Sequence, residues 1–160
     1  MTTSRHETKV ALIGFGTVGS SVARVLATLN LPGLRLTHIY NRGIARKQSS
    51  PEAAHVPADV LWTENIEDLL TSDPDQAPDV ILELIGGLDP AQGWIERALA
   101  SGKSVVTANK QLIAYHGTAL AALARQHNVQ LLHNAAVAGG VPVIPGILQG
   151  LGGDLSLIHI

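Results

Sequence analysis

The chain has 160 residues, enough for one domain with a real core. Hydrophobic residues make up 46% and aromatics only 3%, which argues against disorder and leaves the core to Val, Ile, Leu and Ala. A net charge of -2 gives no electrostatic basis for nucleic acid or anionic membrane as a partner, and the lack of cysteine excludes disulfides, thiolate catalysis and Cys-ligated metal.

Strand and helix patterns alternate along the chain. Residues 9–13 form an apolar run that ends at Gly14, the pattern of a buried strand. Gly14-Phe15-Gly16-Thr17-Val18-Gly19 comes next, then a helical pattern that puts Val18, Val22, Val25, Leu26 and Leu29 on one face. Pro32-Gly33 closes that helix, and residues 34–40 read as the second strand. Residues 43–59 carry Pro51, Pro57 and a serine pair, and read as a loop with at most a short helix. Residues 60–62 fit a short strand, and residues 66–70 a short helix broken by Asp73-Pro74.

Residues 80–85 are a near-continuous apolar strand stopped by Gly86-Gly87. Asp89-Pro90 reads as an N-cap followed by proline at the first helical position, and Trp94, Ile95, Ala98 and Leu99 form the helix face before Gly102. Residues 104–107 make a strand, residues 112–126 a helix with Leu120, Leu123 and Ala124 inward, and residues 129–133 a strand. Residues 135–153 are rich in Gly, Ala and Pro, with a short helix expected over 144–151 and a strand beginning at 155.

Serial alternation of this kind predicts an α/β fold. It should be Rossmann-like and doubly wound, with a mostly parallel sheet and helices on both faces. No apolar run reaches the roughly 20 residues of a membrane span. The polar stretch over residues 1–9 lacks the apolar centre of a secretory signal, so the reading is a cytoplasmic protein.

The three glycines of the turn each have a physical task in dinucleotide binding. Gly14 permits the tight turn, Gly16 lets backbone approach a pyrophosphate, and Gly19 lets the helix pack close to the strand, with the helix N-terminus facing the anion. The plain alternative is a turn required by packing alone. An acid at the end of the second strand would bind the ribose of NAD, but this chain has Tyr40-Asn41-Arg42, with Arg46 and Lys47 close behind. A 2′-phosphate calls for a cation, so NADP is favoured, with NAD as the other cofactor in play. Against this stands the reading of these cations as solvated loop charges.

Ligands of such sheets sit beyond the carboxyl ends of the strands. Ile85-Gly86-Gly87 would let backbone approach the nicotinamide side, or serve as an ordinary turn. Lys110 stands near a helix start, where its charge opposes the helix dipole. A carboxylate or carbonyl in the cleft would account for it, as would a lysine swinging into water. Glu83 interrupts a strand that should be buried on both faces, so it must be paired, hydrogen-bonded or protonated unless it faces the wet strand end. The seven histidines show no metal pattern.

Four segments resemble homoserine dehydrogenases in order and spacing. They are the glycine turn, Leu82-Glu83-Leu84-Ile85-Gly86-Gly87, Val105-Val106-Thr107-Ala108-Asn109-Lys110, and Ala136-Val137-Ala138-Gly139-Gly140-Val141-Pro142. The resemblance covers most of the chain, and its last two segments are far more specific than the glycine turn. It implies interconversion of aspartate 4-semialdehyde and homoserine with NAD(P)H, within threonine, methionine and isoleucine biosynthesis. It implies that Phe15, Thr17 and Val18 touch the cofactor through the turn and that Arg42 contacts the 2′-phosphate. Thr107 and Lys110 would sit near nicotinamide and substrate, Lys110 as the catalytic candidate. A sodium ion would take carbonyls of Val137, Gly139 and Val141 plus a Glu side chain, but Asn134 stands where the family has that Glu.

The resemblance also implies a dinucleotide domain over residues 1–134. Residues 135–160 would be a hinge and the start of a truncated catalytic and dimerisation domain. The family's catalytic Asp and Lys and its Gly-Ile-x-Asn-Gly-Thr segment would follow residue 160, so this chain alone is expected to bind NADP(H) weakly and turn over little. The full-length protein would be a homodimer acting on a small molecule. Two other readings stay open: a non-catalytic nucleotide-binding regulatory module, and the cofactor domain of another oxidoreductase such as an aspartate dehydrogenase.

Overall fold

The computed structural model describes residues 7–29 and 31–138. Among these, six strands form one all-parallel sheet: β1 (Thr8–Ile13), β2 (Leu34–Tyr40), β3 (Leu61–Thr63), β4 (Val80–Glu83), β5 (Ser104–Thr107) and β6 (Leu131–Leu132). Their order is β3-β2-β1-β4-β5-β6, the arrangement of two mononucleotide-binding halves meeting between β1 and β4. Helices α1 (Thr17–Leu29), α2 (Ile44–Gln48), α3 (Glu67–Leu70), α4 (Ala91–Ala100), α5 (Lys110–Gln126) and α6 (Asn134–Ala138) connect or follow them.

Successive strand residues point to opposite faces, and the core divides accordingly. Ala11, Ile13, Ile81 and Val105 face a cluster with Leu69, Ile95, Leu99, Leu112 and Leu120 from α3, α4 and α5. Leu12, Leu36 and Ile39 face the other way, against Phe15, Ala23 and Val60. Both faces are therefore covered, as the doubly wound expectation requires. The β1–β2 register slips between Val10 and Ala11, and there the Thr37 hydroxyl donates to the Val10 carbonyl at 3.2 Å.

The elements differ from the sequence expectations in informative places. Only part of the expected stripe of α1 packs: Val22 and Leu26 lie against the core. Gly19, Ser20 and Ala23 are buried, whereas Val18 is 53% exposed and Val25 and Leu29 are also exposed. Close approach to the glycine turn admits only small side chains, and this turns the packed face away from Val18, Val25 and Leu29. The 43–59 loop holds more structure than expected: α2 and a 3-10 turn over Pro51–His55. Asp89 makes no capping hydrogen bond. Pro90 itself occupies the cap position of α4, after a cis Asp89–Pro90 peptide. Helix α5 begins two residues earlier than its apolar pattern, because Asn109 caps it by accepting from the Leu112 N–H at 3.0 Å. Strands β4 and β6 are shorter than expected, and Asn134–Ala138 form the short helix α6. The helix expected over 144–151 and the strand from 155 lie outside the described residues.

Candidate cofactor site

The carboxyl ends of the strands are drawn into a row by hydrogen bonds that run past the strands themselves. Gly14 N–H donates to the Tyr40 carbonyl at 2.8 Å, Leu84 N–H to Ile13 at 2.9 Å, Asn41 N–H to Thr63 at 3.1 Å and Ala108 N–H to Glu83 at 3.2 Å. The turns that follow β1, β2, β4 and β5 consequently share one edge of the sheet.

In the glycine turn, Gly14 has φ +105°, a conformation L side chains rarely adopt, and a Cβ on it would lie 2.7 Å from Ile85 Cγ2. A Cβ on Gly19 would come within 2.1 Å of the Gly14 carbonyl oxygen, so α1 sits against the turn with no room to spare. At Gly16 a Cβ would meet nothing within 4 Å. Two glycines are thus explained by packing, while Gly16 borders open space at the N-terminus of α1, where first-turn N–H groups point outward. That open cradle fits a pyrophosphate.

The turn is locked from the side by Asn41, which occupies the position of the ribose-binding acid. Its Oδ1 accepts from the Phe15 N–H at 3.0 Å. The Phe15 ring is buried and packs edge-on to Trp62, with centroids 4.7 Å apart. Phe15 therefore meets the cleft only along its backbone, and Thr17 and Val18 are exposed at the helix start.

A cleft of about 530 Å³ opens between the glycine turn and the segment after β2. Gly16, Thr17 and Ser20 line one wall, and Arg46, Lys47 and Glu52 the other. Arg42 is exposed but does not line this cleft, whereas Arg46 and Lys47 do. The Glu52 carboxyl is held below the usual range by its own backbone N–H and the Ser50 hydroxyl, with Lys47 adding to the effect. Arg42's turn is organised by Glu64, at the end of β3, whose Oε1 accepts from the Gly43 and Ile44 N–H groups at 2.8 and 3.0 Å.

On the other half of the sheet, Glu83 is fully buried and satisfied. It accepts from the N–H groups of Ile85 and Gly86, both at 3.0 Å, and from the Thr107 hydroxyl at 2.6 Å. Thr107 Oγ1 also accepts from the Asn109 N–H at 2.9 Å, and Asn109 Nδ2 donates to the Gly87 carbonyl at 2.5 Å. This network ties the β4 turn to the start of α5. Thr107 is buried with its hydroxyl already committed, while Lys110, the first residue of α5, is exposed.

The profile described as "Homoserine dehydrogenase, NAD binding domain" matches residues 14–134. The chain belongs to this homoserine dehydrogenase family. It is an NAD(P)-binding domain of that family, with the fold its geometry implies. It is 40% identical over 148 residues to the homoserine dehydrogenase of Synechocystis sp., covering 91% of this chain and 33% of that protein. The crystal structure of a homoserine dehydrogenase from Thiobacillus denitrificans superposes with a TM-score of 0.74 at 34% identity, over 91% of this chain and 33% of that one. A hyperthermophilic archaeal homoserine dehydrogenase in complex with NADPH gives 0.66 at 26% identity, over 88% and 47%. The chain spans about a third of the length of the curated relatives it matches.

Nothing among the described residues supports the sodium ion expected from the sequence. Asn134 is exposed and brings no charge, Val137 lies on the short helix α6, and no group of three or more His, Cys, Asp or Glu is positioned to hold a metal. Gly139 and Val141 lie outside the described residues. One buried polar atom lacks a partner among them: Nδ1 of His133, just past β6.

Three residues escaped sequence reasoning as parts of the site. Asn41 carried a signal, since it sits where the acid was sought. Asn109 carried one too, as a capping residue before an apolar helical run. Glu64 carried none, because only the pairing of β2 with β3 brings it to the Gly43 turn.

Proposed function

We propose that this chain is the NADP(H)-binding part of a homoserine dehydrogenase that interconverts aspartate 4-semialdehyde and homoserine. The observation that carries the reading is the open cradle at Gly16, with Arg46 and Lys47 across the cleft beside Glu52. Arg42, exposed beside Asn41, is assigned to the 2′-phosphate with Arg46 and Lys47 close by. The neutral Asn41, bonded to the glycine turn, supports NADP over NAD because no acid is left there to hold a free 2′-hydroxyl.

Hydride transfer is the chemistry that the nicotinamide supplies when bound. Phe15 (through its backbone), Gly16, Thr17 and Val18 meet the pyrophosphate at the turn that Gly14 and Gly19 shape by close packing, and Ile85 and Gly86 flank the nicotinamide end. Thr107 serves by holding that turn in place. Lys110 is assigned to the substrate, as a cation at the mouth of the second half-site. Residues 1–134 form the dinucleotide unit and residues 135–160 lead into the part that completes the enzyme. The complete protein is proposed to work in the cytoplasm as a homodimer. This chain by itself is proposed to bind NADP(H) weakly and to turn over little.

Separate calorimetric titrations with NADPH and NADH, repeated with Arg42→Ala, test the assignment. NADPH should bind more tightly, and the substitution should cost NADPH about ten-fold while leaving NADH unchanged, in line with a charge-assisted contact. Equal affinities that ignore the substitution would refute it.

A further inference from the structure

Glu83 stands out because it is a carboxylate with no exposed surface at the end of a central strand. Every neighbour bonded to its side chain is a donor. Oε1 takes the Ile85 and Gly86 N–H groups, and Oε2 takes the Thr107 hydroxyl. Among the described residues Glu83 Oε2 is the one acceptor bonded to the Thr107 hydroxyl proton, while Thr107 Oγ1 accepts from the Asn109 N–H. Two oxygens that only accept are the hydrogen-bonding pattern of a carboxylate. Glu83 takes part in none of the ion pairs among the described residues.

A glutamine here would close the same turn without the desolvation cost of a charge. Its amide oxygen would face the two N–H groups and its amide nitrogen would face Thr107 Oγ1. The charge itself therefore calls for an explanation beyond turn geometry. The sheet order supplies one. A dinucleotide held at the glycine turn would cross the switch point between β1 and β4, which would put its other half over the β4 and β5 ends. Glu83 is bonded directly to the backbone of that turn. The nicotinamide ring carries a positive charge when oxidised and none when reduced.

We propose that Glu83 is a positioning residue whose buried charge, set beneath the Ile85–Gly86 turn, favours the oxidised nicotinamide cofactor over the reduced one. This rests on the cofactor reading above. It assigns to Glu83 no contact with the cofactor. It predicts a redox-state bias that a merely structural carboxylate would not create.

The test is calorimetric titration of the chain and its Glu83→Gln variant with NADP+ and NADPH, with circular dichroism to check folding. The ratio of the two dissociation constants cancels the shared phosphate contacts and isolates the nicotinamide charge. Glu83→Gln should weaken NADP+ relative to NADPH by about ten-fold, the scale of one unit charge acting through partly screened protein. Loss of affinity for both forms in equal proportion would overturn the inference and leave Glu83 a structural residue. A second measurement needs no variant: a buried charge is poorly screened, so the ratio in the unsubstituted chain should hold steady between low and high salt. A ratio that drifts to unity with salt would overturn the inference too. If the unsubstituted chain binds neither form, the cofactor reading falls and takes this inference with it.

Discussion

Gly16 and Gly19 belong to one motif, three residues apart, yet the structure demands opposite outcomes when each is changed to alanine. At Gly19 the new Cβ would sit 2.1 Å from the Gly14 carbonyl oxygen and 2.9 Å from its carbon. Both are backbone atoms, and Gly14 is itself held by its hydrogen bond to Tyr40 and by contact with the β4 turn. Relief therefore requires α1 to move off the sheet as a unit, opening its contact through Ser20 and Ala23. Overpacking of this kind costs about 1–3 kcal/mol, which lowers the melting temperature by about 2–12 °C in a domain of this size. At Gly16 the new Cβ meets nothing within 4 Å, so Gly16→Ala should leave the melting temperature within a degree or two or raise it slightly. The same methyl intrudes on the space proposed for the pyrophosphate, so NADPH affinity should fall by an order of magnitude or more. The assay is a pair of thermal melts followed by NADPH titration of both variants. Equal destabilisation by the two substitutions, or full binding by Gly16→Ala, would refute the division of labour argued from this turn.

Two further predictions concern the scaffold. Asn109→Ala removes both the cap on Leu112 and the tie to the Gly87 carbonyl, and should cost about 1–2 kcal/mol in urea denaturation. Asn109→Asp keeps the cap and should recover part of that loss; no recovery would mean the Gly87 tie carries the whole effect. Burial holds His38 below the usual histidine range, against an opposing pull from Asp68, with Lys9 and Arg35 adding to the lowering. The unfolded chain then binds the proton more readily than the folded one, so stability is fully present above the unfolded pKa and is lost as pH falls through it toward the lowered folded value. Denaturation midpoints at pH 8 and pH 5 should differ less in His38→Gln than in the unsubstituted chain, and an unchanged difference would remove His38 as the cause.

Much of this domain was legible in the residues because the signals are local. An apolar run ending in glycine, a helical period after it, and a fifth strand followed by Thr-Ala-Asn-Lys all lie within a few residues of the feature they specify. Strand β2 spans the residues its pattern indicated, and alternation led to the parallel doubly wound sheet. The motifs in turn carried the family. What escaped were interactions between residues far apart in the chain. Asn41 reaches the Phe15 N–H across 26 residues, Glu64 reaches Gly43 across 21, and Glu83 meets Thr107 across 24. Periodicity carries no information about such partners. The face of α1 shows the same limit within a single helix. Its apolar stripe put Val22 and Leu26 on the core as expected, but the sterics of Gly19 against Gly14 centred the packed face on Gly19, Ser20 and Ala23 and left Val18, Val25 and Leu29 exposed. Glu83 lies between the two cases: its sequence position announced a polar group that had to be satisfied, and only the packed sheet decided by whom. Backbone preference and hydrophobic pattern act over one turn or one strand, whereas close approach and hydrogen-bond completion depend on which strands become neighbours.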